Sequence, residues 1–375
     1  MRFDTRLVQS GREADGTGAT VPPIHVATTY DQRHQDPPRY FYARGENPTR
    51  EALEHTLASL EEVPFATAYS SGQAAGDAIL SVVPPGGRVV ASDDVYGGTR
   101  ALFALLDRRG ITVDHVDLTD RDALRAALQR GPDLVWIEAP TNPLLKIADL
   151  AEVCPRARAA GAVVVVDNTL ASPVLQRPLD LGADVSLYST TKSIAGHSDA
   201  VGGALVYRDA ELHRRLLSYR TAVGNVPGPL DCYLVHRGLK TLSLRVARQV
   251  ANAQAIAEAL RDSGLTGAVR YPGLPEHPQH DVAGRQMSGP GSIVCFECPV
   301  EPEKLFRRLR LHSCAVSLGG VGSLIQCPAR STHAGIPRST RLELGLTDDL
   351  VRVSAGIEDA ADLVEDLLTA LRATV

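Results

Sequence analysis

A chain of 375 residues can bury a large core and has length for two or three domains. Its balance of 22 % charged and 44 % hydrophobic residues is that of a globular protein and excludes a disordered chain. A net charge of −5 with no long run of one sign argues against nucleic acid or a membrane surface as the main partner.

In chain order, the N-terminus (Met1-Arg2-Phe3-Asp4-Thr5-Arg6) lacks the apolar stretch of a signal peptide, which predicts a cytoplasmic protein. Residues 1–45 have no strong period and read as an extended arm rather than a domain. From Arg50 to about Tyr207, short apolar runs alternate with amphipathic segments. The runs Phe65–Tyr69, Arg88–Ala91, Thr112–Val116, Leu134–Ile137, Ala162–Val166, Val185–Tyr188 and Ala204–Val206 predict strands. Helices are expected over Arg100–Arg109, Arg121–Arg130 and Ile147–Ala160. Strands made of continuous Val, Ile and Leu are buried on both faces, which implies a mostly parallel sheet covered by helices. This is an α/β core, and ligands in such sheets sit beyond the carboxyl ends of the strands. The longest apolar stretch, Ala162–Val166, is far too short to span a bilayer.

From Pro229 to Asp262 one long helical stretch is expected. Strands at Ser292–Phe296 and Val351–Ser354 then mix with helices at Glu303–Leu311 and Asp359–Leu371, the pattern of a smaller α+β domain. The resulting division is an arm over 1–45, a ligand-binding domain over 46–228 and a C-terminal domain over 229–375. Of the six cysteines, Cys295 and Cys298 have CxxC spacing, but they fall on a strand, where residues three apart point to opposite faces. No metal site is expected, and the cysteines read as buried free thiols.

Three strand ends carry chemistry. The run Ala162–Val166 ends in Asp167, a carboxylate that is costly to bury without a cation or donor beside it. The run Val185–Tyr188 leads into Ser189-Thr190-Thr191-Lys192, followed by Gly196-His197-Ser198-Asp199. A lysine there can form an imine with an aldehyde cofactor, and Asp167 can pair with a pyridinium nitrogen. On spacing alone, a surface lysine in a polar loop and an aspartate capping a turn fit equally well. After Phe65–Tyr69 comes Ser70-Ser71-Gly72-Gln73-Ala74-Ala75-Gly76, whose small residues at a strand-to-helix turn suit a phosphate. The turn is neither a P-loop nor a dinucleotide fingerprint.

With further motifs the chain resembles the cystathionine γ-synthase/γ-lyase family, the Cys/Met-metabolism PLP-dependent enzymes. The motifs include Val21-Pro22-Pro23-Ile24, Asn47-Pro48-Thr49-Arg50, Asp94-Val95-Tyr96-Gly97-Gly98-Thr99 and Glu138-Ala139-Pro140-Thr141-Asn142-Pro143. Arg237-Gly238-Leu239-Lys240-Thr241-Leu242, Ser317-Leu318-Gly319-Gly320, Thr332-His333-Ala334 and Gly356-Ile357-Glu358-Asp359 follow in order. The resemblance implies an aspartate-aminotransferase-like (fold type I) large domain, pyridoxal 5'-phosphate as cofactor, an amino-acid substrate and a homotetramer built from dimers. Lys192 is then the Schiff-base lysine, Asp167 the partner of the ring nitrogen, and Tyr96 the ring-stacking acid/base. Ser71, Gly72, Gln73, Ser189 and Thr191 match the phosphate cradle, while Tyr42 and Arg44 match residues that reach the phosphate of a neighbouring subunit. Arg352, Asn142 and Ser317 match the group that holds the substrate α-carboxylate, a task suited to the arginine fork.

Members acting on cystathionine usually carry acidic residues at two positions that hold Phe41 and Val316 here. An unpaired buried ammonium would cost several kcal/mol, so the pair resembles methionine γ-lyase instead. That group usually has a Cys where this chain has Gly98, and Gln73 and Ser193 also depart from the family pattern. The expectation is γ-elimination (C–S lyase) or γ-replacement on a sulfur-containing or O-acyl homoserine-type amino acid. The alternatives are a cystathionine γ-synthase or γ-lyase of transsulfuration and a non-catalytic α/β paralogue.

Overall fold

The computed structural model describes residues 1–12, 18–34 and 39–374. In chain order the first elements are α1 (Phe3–Gln9), α2 (Pro48–Leu60), β1 (Phe65–Tyr69), α3 (Gly72–Leu80), β2 (Arg88–Ser92), α4 (Gly97–Ala104) and β3 (Thr112–Val116). Next come α5 (Arg121–Leu128), β4 (Leu134–Glu138), α6 (Leu150–Ala159), β5 (Val163–Asp167), α7 (Ser172–Leu175), β6 (Val185–Tyr188) and β7 (Gly203–Tyr207). Helices α8 (Ala210–Val223), α9 (Pro229–Leu239) and α10 (Leu242–Ser263) lead to β8 (Val269–Arg270), α11 (His280–Gln286), β9 (Ile293–Glu297) and α12 (Pro302–Phe306). The chain closes with β10 (Ser313–Cys314), β11 (Leu324–Gln326), α13 (Arg338–Glu343), β12 (Leu350–Ser354) and α14 (Ala360–Arg372). Two compact units result: Met1–Val82 with Asp184–Leu242, and Val83–Ala183 with Ser243–Val375.

In the first unit β7 pairs antiparallel with both β1 and β6. This corrects the parallel reading of Ala204–Val206: burial on both faces makes a strand apolar throughout, whichever way it runs. Helix α2 lays Leu53, Leu57 and Leu60 into the core, and Asn47 caps it by accepting from the N–H groups of Thr49 and Arg50. Two acids, the half-buried Glu54 and the buried Glu61, tie it to its neighbours. Glu54 accepts from the Ala68 N–H and the buried Arg220, and Glu61 accepts from Ser186 and Tyr188 of β6. The predicted arm contains a helix, α1, because Leu7 is buried and Arg6 donates to the Ser59 carbonyl and to Glu62. Residues 13–17 and 35–38 of that arm lie outside the described residues.

In the second unit β5, β4, β2 and β3 are all parallel, as their Val-rich sequences imply. A further sheet runs β10-β11-β12-β9-β8, antiparallel except for β10 with β11. Helices α10 and α14 cover one side of it, burying Ile256, Leu260, Leu363 and Leu367 against Val294, Phe296, Val351 and Val353. On the other side Leu144 and Leu145, from the loop after β4, pack with Ile293, Cys295, Leu346 and Leu350.

The stretch 229–262 is two helices, broken where Lys240 and Thr241 leave the helix and Lys240 donates to the Ser10 carbonyl. The helix expected over 303–311 stops at Phe306. Beyond it the N–H groups of Arg310, Leu311 and His312 all bond to the Asp366 carboxylate, so a side chain takes the place of helical carbonyls. All six cysteines are free, and five are buried; Cys314, on the two-residue strand β10, is exposed. Cys295 shows why the buried thiols stay inert. Burial pushes its pKa up to about 12, and it donates to the Pro143 carbonyl.

Candidate active site

The first unit gathers Ser71, Gly72, Ser189, Thr191 and Lys192. Ser71 caps α3, its hydroxyl accepting from the Ala74 N–H at 3.0 Å. The turn needs glycine: a Cβ on Gly72 would lie 2.9 Å from the Ser189 Cβ, and one on Gly203 would overlap the Ser71 carbonyl. Thr191 Oγ1 donates to the Gly202 carbonyl and accepts from the Gly202 N–H, locking its loop onto the start of β7. Lys192 follows in a tight turn. Its N–H donates to the Ser189 carbonyl at 3.2 Å, and its own carbonyl accepts from the Gly196 N–H at 2.8 Å. Gly238 of α9 packs against Ala195, where a Cβ would overlap the Ala195 carbonyl. Gln73 stands exposed on the first turn of α3.

Phe41, Tyr42 and Arg44 lie elsewhere in that unit. They line an open cleft of about 1170 Å³ with Glu54, His55 and His213, and no other predicted site residue lines it. The Arg44 guanidinium donates to the Thr221 carbonyl at 2.6 Å and sits 5.6 Å from the centre of the Tyr42 ring.

The second unit gathers Tyr96, Asn142, Asp167, Ser317 and Arg352. Arg352 is 2 % exposed at the middle of β12, yet among the described residues no carboxylate pairs with it. Its guanidinium donates to Asn142 Oδ1 at 2.8 Å and to the Ser317 carbonyl at 2.7 Å. Gln326 is its cross-strand neighbour. The amide orientation that matches donors to acceptors places the Gln326 oxygen 2.6 to 3.2 Å from all three guanidinium nitrogens. Burial lowers the Arg352 pKa to about 10. Ser317 adopts φ of +94°, a conformation rare outside glycine, and Val316 beside it is exposed.

Asp167 ends β5 directly across the ladder from Glu138, which ends β4. Only Thr169 donates to it among the described residues, and burial pushes its pKa up to about 6. Glu138, 2 % exposed, accepts from the Tyr96 N–H through Oε2 and the Asn142 N–H through Oε1, both at 2.9 Å. Burial and the neighbouring Asp167 hold its carboxyl well above the ordinary range. Asp94, pushed up to about 6 by burial, accepts from the Thr141 hydroxyl and the Leu144 N–H. His333 is also buried; its Nε2 meets the Asn142 carbonyl at 3.1 Å, and burial followed by the Arg352 charge lowers its pKa to about 4. Tyr96 precedes α4 and is 39 % exposed. That ring lies over Gly98, where a Cβ would collide with it, so the glycine found at this position leaves the ring its place.

Sequence reasoning assigned no role to Glu138, Gln326, Asp94 or His333. For Glu138 a signal existed: like Asp167, it is an acid closing a wholly apolar strand. Gln326 had none, because its partner lies on another strand.

In the first unit, the turn before α3 leaves room beside two hydroxyls, with a lysine in the adjoining loop, which fits a phosphate-bearing aldehyde cofactor. In the second unit, the buried Asp167 has no cation beside it among the described residues, which fits a protonatable ring nitrogen. A family model described as Cys/Met metabolism PLP-dependent enzyme matches residues 4–372. A cystathionine gamma-synthase from Mycobacterium tuberculosis is 48 % identical, over 98 % of this chain and 96 % of that protein. The crystal structure of a cystathione gamma lyase from Micromonospora echinospora is 60 % identical with a TM-score of 0.97, covering 99 % of both chains. An apo structure of a methionine gamma lyase from the same organism is 61 % identical with a TM-score of 0.94, again over 99 % of both.

Proposed function

The chain belongs to the Cys/Met metabolism PLP-dependent enzyme family, and from that premise we propose that it is a carbon–sulfur lyase or γ-replacement enzyme. Its substrate is a sulfur-containing or O-acylated homoserine-type amino acid. The observation that carries this reading is Arg352, a buried guanidinium fixed by neutral oxygens whose charge calls for an anion, here the α-carboxylate of an amino acid.

When bound, pyridoxal phosphate supplies an aldehyde for the substrate amine and an electron-withdrawing ring. In this reading Lys192 would hold the aldehyde and would carry the α-proton, with Tyr96 as a second proton carrier near the substrate. Asp167, raised to about 6 by burial with no cation beside it among the described residues, would hold the proton of the ring nitrogen when the cofactor is bound. Ser71, Gly72, Gln73, Ser189 and Thr191 hold the phosphate, while Asn142 and Ser317 orient Arg352 on the carboxylate. Tyr42 and Arg44, which line an open cleft, serve the phosphate of a neighbouring subunit. The protein is then a tetramer of two dimers in the cytoplasm, with residues 1–45 as arm, 46–228 as cofactor domain and 229–375 as C-terminal domain. Among the described residues no helix is long and apolar enough to cross a membrane.

Phe41 and Val316, 69 % and 57 % exposed in the single chain, offer apolar surface and no acid to a distal ammonium. The likeness to a methionine gamma lyase at 61 % identity supports a substrate with an apolar far end. The likeness to a cystathionine gamma-synthase and a cystathione gamma lyase supports transsulfuration as the second reading. Holoenzyme assayed on methionine, cystathionine, homocysteine and homoserine esters, with and without a thiol, is expected to turn over methionine or a related thioether faster than cystathionine. Equal or faster turnover of cystathionine overturns the argument from Phe41 and Val316 and favours the second reading.

A further inference from the structure

Resting on the reading of Asn142 and Arg352 as the carboxylate-binding pair, we propose that Glu138 is a positioning residue: its two oxygens clamp the Tyr96 turn and the Asn142 turn into one substrate-binding arrangement. Each oxygen has its own donor, Oε2 the Tyr96 N–H and Oε1 the Asn142 N–H. The Glu138 N–H is in turn anchored on Ser92 Oγ at 3.2 Å. Asn142 relays the constraint outward, because its side-chain oxygen accepts from Arg352 while its carbonyl faces His333. A second acid binds the same two stretches of chain together. Asp94, two residues before Tyr96, accepts from Thr141 and Leu144 on either side of Asn142.

A carboxyl in this place is unfavourable, being buried directly across the ladder from Asp167. Glutamine would cost less to bury, but its amide has one acceptor oxygen, and its NH₂ would face a backbone N–H. Only a carboxyl group accepts from both turns at once. Both oxygens are taken up by these two backbone N–H groups, so Glu138 acts through Asn142 and Tyr96.

The test uses holoenzyme and glycine, which carries the α-carboxylate and no leaving group, with affinity measured by calorimetry. Glu138→Gln is expected to weaken glycine binding roughly tenfold or more, since small misplacements of a positioning group carry large penalties. Glu138→Asp, which keeps two carboxyl oxygens but is one methylene too short to reach both turns, carries the same expectation should the glutamine variant not fold. In an Asn142→Ala background Glu138→Gln should cost less than about threefold, because the relay is already cut. Glycine affinity within twofold of wild type in Glu138→Gln, or fully multiplicative losses in the double variant, overturns the clamp. Arg352→Ala separates the two ideas. Unchanged affinity there overturns the carboxylate reading itself; a large loss there beside unchanged affinity in Glu138→Gln overturns the clamp alone.

Discussion

Lys192 owes its place to backbone geometry: the bonds from its N–H to Ser189 and from Gly196 to its carbonyl fold the loop into a turn that leads off from β6. With cofactor added, wild-type protein should be yellow and bleach with borohydride, leaving the cofactor covalently attached in the mass spectrum. Lys192→Ala should lose both properties, and a variant that keeps the covalent adduct removes Lys192 from its role. At this scale the sequence was informative for residues whose neighbours in the chain announce them. Lys192 stands among hydroxyls and before a glycine, and Ser71-Gly72 stands at a strand-to-helix turn. Arg352 became legible only through the family resemblance, because the residues that fix it, Asn142, Ser317 and Gln326, come from separate segments.

Among the elements, β1, β3 and β6 fall on the residues predicted for them, and β2, β4, β5 and β7 differ by a residue at one or both ends. Runs of Val, Ile and Leu bounded by polar residues carry that information locally. The helices were less legible at their ends. Helix α12 yields to the Asp366 carboxylate, and the break between α9 and α10 coincides with a lysine that reaches Ser10. Tertiary partners set both limits. The entry to α4 shows the same control by close contact: a Cβ on Gly97 would overlap the Thr332 carbonyl, a backbone atom that cannot swing aside. Gly97→Ala is therefore expected to lower stability by about 1–3 kcal/mol, the usual cost of overpacking, and to disturb Tyr96 next to it. Denaturant midpoints unchanged from wild type would show that the turn relaxes at no cost.

For the molecule as a whole, histidines set the response to acid. Burial lowers His236, His277 and His333 to about 4. Between pH 6.5 and 4 the unfolded chain protonates these side chains and the folded one does not, so stability falls as pH falls through that window. Asp94 and Asp167, raised to about 6, act the other way between roughly 6 and 3.8, where the folded state holds the extra proton. Glu138, raised by burial and by Asp167, acts with the two aspartates, while His115 and His213, lowered by burial, act with the other histidines. With five histidines against three carboxyls, the thermal midpoint of the apoprotein should drop from pH 7 to pH 5. A midpoint that rises over that interval contradicts these charge states.

What the sequence by itself determined is the α/β character, the positions of the strands, and the placing of a lysine, an aspartate and a small-residue turn at three strand ends. Each is encoded in adjacent residues, by apolar runs, small residues at turns and an acid closing a strand. Strand direction in β7, the helix inside the arm, the two-sided acceptance by Glu138 and the cradle around Arg352 were decided by the tertiary structure alone. Asn142 and Arg352 meet across 210 residues of chain. A hydrogen bond over such a separation leaves no periodic trace in the sequence, because its geometry exists only once both segments have found their places in the packed fold.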